Sequence, residues 1–182
     1  MSTEATYDVF MMDHAAGALP QGMSLLADMH VSLDASGYET AQVWAVIGGA
    51  MLEHGVAPET PRRRQTQATP YRRSLSADEV LSIDLDHLFW KRGLSGVAYA
   101  KGRGQHTKFM RLEAGQSAPT HSHSALEATL VLRGRLNDGT RSYERGQIAF
   151  GVPGDSHKPS AEGNEACICF VAQDRKPFWR LS

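Results

Sequence analysis

The sequence predicts two unlike parts, a small N-terminal helical bundle followed by an antiparallel β-sandwich or barrel. Residues 6–54 are rich in Ala, Met and Leu and repeat apolar side chains with a helical period. From about residue 80 onward, six or more short apolar runs are separated by Gly, Pro, Asn and Asp. Such runs, spaced by about ten residues, are typical of short antiparallel strands joined by turns.

Three helices are expected in the first part. The first, over residues 7–16, should end at Gly17, and Pro20 should open the second. Gly37 is expected to end the second helix and Gly55 the third. The apolar positions behind these expectations are Met23, Leu25, Leu26, Met29 and Leu33 in the second helix, and Val43, Trp44, Val46, Ile47, Met51 and Leu52 on a broad face of the third.

A linker separates the two parts. We assign residues 1–56 to the helical module, 57–78 to the linker and 79–182 to the β domain. The segment PETPRRRQTQATPYRRS contains three prolines and five arginines and has almost nothing to bury. A solvated connector is the favoured interpretation, and a basic arm that contacts an acidic partner is the alternative.

The overall composition excludes several classes of protein. Hydrophobic residues make up 41% of the chain, charged residues 21%, and the formal net charge is −1. This balance gives no global attraction to nucleic acid or to a membrane surface. No apolar stretch reaches the roughly 18 residues of a membrane span. The N-terminus lacks a basic secretory signal. We therefore expect a cytoplasmic protein with no direct nucleic-acid or membrane partner, in which Cys167 and Cys169 pack as small hydrophobes.

The most specific feature of the sequence lies between Gly115 and Gly134. It contains His121 and His123, two residues apart on an extended segment, so that both side chains point the same way. Glu127 follows after a turn, and the next strand should return it to the histidines. Two imidazoles and a carboxylate suit a borderline divalent ion such as zinc, iron, manganese, nickel or copper.

A fourth ligand, His157, follows Gly146 by eleven residues. The two segments resemble the cupin motifs G-x5-H-x-H-x3-E-x6-G and G-x5-P-x-G-x2-H. The second departs once, because the proline is Pro153 where the motif expects it at Val152. The resemblance implies a cupin β-barrel of the jelly-roll type. It also implies one divalent metal ion, zinc being favoured over iron, manganese and nickel, bound by His121, His123, Glu127 and His157.

The combination of a helical module with a cupin, and the segments LEATLVLRG and ACICFVA, are similar to the ChrR-type anti-sigma factors. In that family a zinc-binding N-terminal module binds an extracytoplasmic-function sigma factor. The cupin-like domain also binds zinc and is needed for the response to singlet oxygen. The resemblance implies a transcription regulator of a stress response, with a sigma factor as partner, an oxidative or small-molecule signal and no catalytic residues.

The zinc site that the family carries in its helical module is incomplete here. The family pattern is His-x3-Cys-x2-Cys, and His30 stands in place while Asp34 and Gly37 occupy the cysteine positions. The position of an earlier histidine corresponds to Ala5, with His14 further along. Loss of two thiolates from four ligands should abolish a structural zinc site. We therefore expect the helices to be held by their apolar core and the cupin ion to be the only metal.

Two other functions stay open at this point. A cupin metalloenzyme, such as a dioxygenase acting on a small organic substrate, could use open positions on the metal to activate oxygen or polarise a carbonyl. Glu127 would then act as ligand or base. In the second alternative, the helical module serves only as a dimerisation arm and the protein is a homodimer. The regulator is favoured over both.

Overall fold

The computed structural model describes residues 3–53, 76–93 and 95–174. Four helices precede the strands in this part of the chain: α1 (Thr3–Ala15), α2 (Gln21–Leu33), α3 (Ala35–Glu53) and α4 (Ala77–Leu81). None of the helices in the described ranges has the length and apolar character needed to cross a membrane.

Eleven short strands follow within the described residues. They are β1 (Lys91–Arg92), β2 (Ala98–Lys101), β3 (Thr107–Leu112), β4 (His121–Ser122), β5 (Glu127–Arg133), β6 (Arg135–Asn137), β7 (Ser142–Tyr143), β8 (Ile148–Gly151), β9 (Ser156–His157), β10 (Ser160–Glu162) and β11 (Cys167–Gln173). A six-stranded sheet has the order β1-β2-β3-β11-β5-β8, a three-stranded sheet has the order β10-β6-β7, and β4 pairs with β9. All of these pairings are antiparallel, as the sequence predicted.

The central strands β5 and β11 are buried on both faces. Because side chains alternate along a strand, Cys167, Cys169 and Val171 point into the space between the six- and three-stranded sheets. Phe170 and Ala172 point to the opposite side, toward the helices. The two cysteines are therefore buried as predicted.

The helices cover the outer face of the large sheet. Helix α2 lies against β11 and β5, and its Met23, Leu26 and Met29 are fully buried there. Phe109 and Phe170 meet edge to face on the same side of the sheet, with their ring centres 5.2 Å apart. The helices and the outer side of the barrel therefore share one continuous hydrophobic core, which the sequence pattern alone did not predict.

The helix boundaries match the predictions at two points and differ at a third. Gly17 adopts a left-handed conformation (φ +65°) after α1, and Pro20 is the N-cap of α2. Gly37 does not end α2, because the helix already ends at Leu33. The Asp34 carboxylate accepts hydrogen bonds from the backbone N–H groups of Ser36 (2.9 Å) and Gly37 (3.1 Å) and so starts α3.

Much of the apolar face predicted on α3 is open to solvent. Val46 is 71% exposed, and Val43 and Ile47 are exposed as well. The neighbouring helix α1 also exposes Val9 and Met12. We call these five residues the helical face. Gly55, the predicted end of α3, lies outside the described residues.

Most of the predicted linker, residues 57–75, also lies outside the described residues. The chain is described again from Ser76, where a capping box begins α4. The Ser76 hydroxyl accepts from the backbone N–H of Glu79 (3.2 Å), and the Glu79 carboxylate accepts from the backbone N–H of Ser76 (2.7 Å). Val80 of this helix is fully buried in the core beneath α2, so α4 belongs to the folded body.

Candidate metal centre

Three of the four predicted ligands converge at one end of the barrel. His121 and His157 face each other across the β4–β9 pair, and His123 follows two residues after His121. The Nε2 atom of His157 lies 2.9 Å from Nε2 of His123 and 3.2 Å from Nε2 of His121. The ligand atoms of all three residues lie within 4.8 Å of one another. Three convergent imidazole nitrogens could hold one metal ion.

Hydrogen bonding sets the orientation of His121. Its Nδ1–H donates to the backbone carbonyl oxygen of Pro119 over 3.0 Å, which leaves Nε2 as the free nitrogen that faces the other two rings. A fixed tautomer of this kind is the usual way in which a protein prepares a histidine for a metal. The displaced Pro153 lies in the neighbouring turn, where it forms a bridge with His123. The displaced proline therefore does not prevent the approach of His157.

The lowered pKa values of two of these histidines also favour a metal. Burial lowers the pKa of His123, and the nearby His121 lowers it further, against an opposing effect of Glu127. For His157, burial is again the largest cause of a lowered pKa, followed by His121 and His123. Neutral imidazole is the form that binds metal, so the lowered pKa values of His123 and His157 favour the binding of an ion.

Glu127 stands beside the histidines rather than among them. It is buried at the start of β5, and its Oε2 accepts a hydrogen bond from Nε2 of Gln173 over 2.6 Å. Nζ of Lys108 lies 3.8 Å from the same oxygen. The carboxylate lines the same cavity as the three histidines. Its role as fourth ligand remains a prediction.

One row of residues across three neighbouring strands supports this end of the barrel. Glu127 on β5 is the register partner of Gln173 on β11 and of Gly151 on β8. The ring of His123 occupies the space where a side chain of residue 151 would begin. A Cβ added to Gly151 would lie 2.4 Å from His123 Nε2, a distance at which the ring must move. Gly151 occupies an unspecified position of the second cupin motif and Gln173 lies outside both motifs, so the sequence did not reveal either residue.

A cavity of about 740 Å³ opens above the histidines. Tyr99, Met110 and Leu136 form part of its wall, and its volume suits a small molecule. The two arginines that follow Glu127 in sequence point elsewhere. Arg133 pairs with Asp86 and Arg135 pairs with Glu144, in both cases with exposed side chains.

The residues at the family's N-terminal zinc positions have other contacts here. His30 is 2% exposed, and its Nδ1–H donates to the backbone carbonyl oxygen of Gly146 over 2.6 Å. Its Nε2 accepts from the hydroxyl of Tyr7 over 2.9 Å. A Cβ at Gly37 would lie 2.6 Å from His30 Nε2, so only glycine leaves room for the ring. His14, which follows Ala5 further along the chain, pairs with Asp28.

Comparison with known proteins agrees with this architecture. Residues 79–176, more than half of the chain, match the family model of the ChrR cupin-like domain. The chain belongs to this family. The cupin fold and the ChrR-type resemblance predicted from the sequence are thereby confirmed.

The similarity extends beyond the cupin-like domain. Anti-sigma-E factor ChrR of Cereibacter sphaeroides is 28% identical over 186 residues, covering 92% of this chain and 87% of that protein. A chain in the crystal structure of Rhodobacter sphaeroides SigE in complex with the anti-sigma ChrR has a TM-score of 0.73 and 28% identity. That match covers 92% of this chain and 96% of the other. The helices are therefore included in the similarity.

Proposed function

We propose that this protein is a cytoplasmic transcription regulator that binds an extracytoplasmic-function sigma factor through the helical face. The observation that carries the proposal is the exposed apolar surface on α1 and α3, led by Val43, Val46 and Ile47. Clustered apolar side chains on a folded surface mark sites of protein association. The similarity to ChrR, which is in complex with SigE in the related crystal structure, supports a sigma factor as the partner.

Val46→Glu is expected to weaken sigma-factor binding by about tenfold, since a charge would be buried against an apolar partner surface. The side chain is 71% exposed in the free protein, so the variant should fold normally. Isothermal titration with the extracytoplasmic-function sigma factor encoded nearest to this gene measures the change in Kd. Phe89→Glu is the matched control, because Phe89 is 80% exposed and lies outside the helices.

The control should keep the affinity of the unchanged protein. Equal weakening by Val46→Glu and Phe89→Glu would contradict the assignment of the helical face, because the effect would then follow from added charge alone. No binding of the unchanged protein to that sigma factor would contradict the proposed function itself.

The cupin barrel then serves as the signal-sensing part and holds one divalent ion, with zinc as the expected metal. His121, His123 and His157 would hold the ion through Nε2, and Glu127 would be the fourth ligand through Oε1, because Oε2 is engaged by Gln173. A zinc ion held there would supply a Lewis acid, and the cavity would give an oxidant or a small metabolite access to it. Elemental analysis of the purified protein should find one metal per chain.

Gln173→Leu is expected to weaken metal binding about tenfold, because the Glu127 carboxylate loses the hydrogen bond that orients it. Chelator competition measures the affinity. Gln116→Leu is the control, since the Gln116 side chain accepts from the backbone N–H of Glu113 and donates to the backbone carbonyl of Ser95, and neither contact involves a predicted metal ligand. An unchanged affinity in Gln173→Leu would show that this hydrogen bond does not orient a metal ligand.

The cavity above the histidines is the observation in favour of a second candidate function, a cupin metalloenzyme acting on a small organic substrate. The metal found in the protein distinguishes the two functions. Zinc supports the sensor, and redox-active iron together with oxygen consumption supports the enzyme.

A further inference from the structure

We infer that strand β8 (Ile148–Gly151) transmits the state of the metal site to the helices that carry the helical face. The inference rests on the proposed function and adds its route of regulation. The strand lies between the metal-site cavity and the helices. Ala149 and Gly151 face the cavity, whereas Ile148 and Phe150 belong to the hydrophobic cluster shared with the helices.

The inner side of β8 contacts the metal site at its C-terminal end. The His123 ring packs on Gly151 so closely that no Cβ fits between them. Gly151 is also the backbone partner of Glu127 on β5. The last residue of β8 is therefore in contact with one of the three clustered histidines and paired with the predicted fourth ligand.

The outer side of β8 contacts α1. The rings of Phe150 and Phe10 meet edge to face with centres 5.2 Å apart, and Phe10 is buried. Val9 and Met12 of the helical face lie on the same helix, one and two residues from Phe10, and are exposed. One side of α1 therefore rests on β8 while another side is free to meet a partner.

The turn before β8 is tied to the helices by a buried hydrogen-bond chain. The carbonyl oxygen of Gly146 accepts from Nδ1–H of His30 on α2, and Nε2 of His30 accepts from the Tyr7 hydroxyl on α1. The chain joins both helices to the residue two positions before β8 begins. The chain around β8 therefore contacts the metal site at Gly151, through His123, and the helices at Gly146, through His30.

The position of β8 at the edge of the sheet allows it to shift or stiffen when the metal site is filled. Among the described residues it is an edge strand of the six-stranded sheet and pairs there only with β5, so a small shift breaks no second ladder of hydrogen bonds in that part of the chain. When His123 becomes a metal ligand, its ring loses freedom above Gly151, and the strand that supports the ring is stiffened. Because α1 packs on the other side, it is stiffened with the strand.

Hydrogen exchange of the full chain with and without Zn²⁺ tests the inference. Zn²⁺ should slow the hydrogen exchange of the β4 and β9 amides. It should also slow exchange of the α1 amides by about fivefold, which is the low end of the coupling usually found between two sites. In Phe10→Leu and Tyr7→Phe the effect at β4 and β9 should persist while the effect at α1 is lost. Val9→Ala is the matched control, because it removes methyl groups from the exposed side of α1, and it should keep both effects.

The outcomes separate this inference from the proposal on which it rests. If Zn²⁺ binds and protects β4 and β9 but leaves α1 unchanged in the unaltered chain, the route through β8 is wrong and the metal site stands. If Phe10→Leu and Tyr7→Phe both retain the full effect at α1, the route is also wrong. If Zn²⁺ does not bind at all, the metal site fails and the inference fails with it.

Discussion

Gly151→Ala is expected to weaken metal binding by about 10–100-fold, the range found when a residue that orients a metal ligand is lost. The added Cβ would lie 2.4 Å from Nε2 and 2.5 Å from Cδ2 of His123. The ring is the end of a side chain and can rotate away, so the fold should survive. It cannot rotate away and also keep Nε2 2.9 Å from Nε2 of His157. Competition with a chelator measures the affinity, and the visible spectrum of the Co²⁺-loaded protein reports the coordination.

A second glycine-to-alanine substitution provides the control. Gly48 lies in α3, where an added Cβ meets nothing within 4 Å. Gly48→Ala should leave metal binding unchanged and stabilise the protein by about 0.5–1 kcal/mol, because alanine is the better helix former. If Gly151→Ala bound Zn²⁺ as tightly as the unchanged protein, the position of the His123 ring would not depend on the glycine beneath it.

Gly151 also shows which part of the metal site can be predicted from sequence. His121, His123 and His157 stand at motif spacing, and spacing of this kind is set by local strand and turn geometry. The roles of Gly151 and Gln173 depend on the register of β8 and β11 against β5. This register places both residues beside Glu127, although Gly151 is 24 and Gln173 is 46 positions further along the chain. No local pattern contains that information.

The helices illustrate a second difference between pattern and structure. Periodicity correctly predicted that α3 carries Val43, Val46 and Ile47 on a helix, but it could not tell whether this face is covered. The structure leaves it exposed and instead buries α2 on the sheet. The sequence predicts a helix end at Gly37, because glycine often follows helices. The Asp34 carboxylate supplies the break, and Gly37 is instead needed for its lack of a side chain.

His30→Ala is expected to lower the free energy of unfolding by about 3 kcal/mol. The substitution leaves the buried Gly146 carbonyl and the Tyr7 hydroxyl without their shared partner, and it opens a cavity where the ring stood. Urea unfolding followed by circular dichroism measures the loss. Because His30 is not one of the predicted metal ligands, most of the loss should be present with EDTA, and Zn²⁺ should add no more than about 1 kcal/mol to it, which corresponds to the fivefold coupling inferred through the hydrogen-bond chain. A loss seen only with Zn²⁺ would instead indicate that His30 binds metal.

The contact between His30 and Gly37 makes the combined substitution informative. Gly37→Ala alone should also destabilise, because its Cβ would lie 2.6–2.9 Å from three ring atoms of a histidine that is too deeply buried to move freely. With His30→Ala in place, that methyl group enters the space vacated by the ring. The double variant should therefore lose at least about 1 kcal/mol less than the sum of the single losses, the coupling expected of residues in contact. Additive losses would mean that the side chains at the two positions do not contact each other, which would contradict the packing of the His30 ring on Gly37.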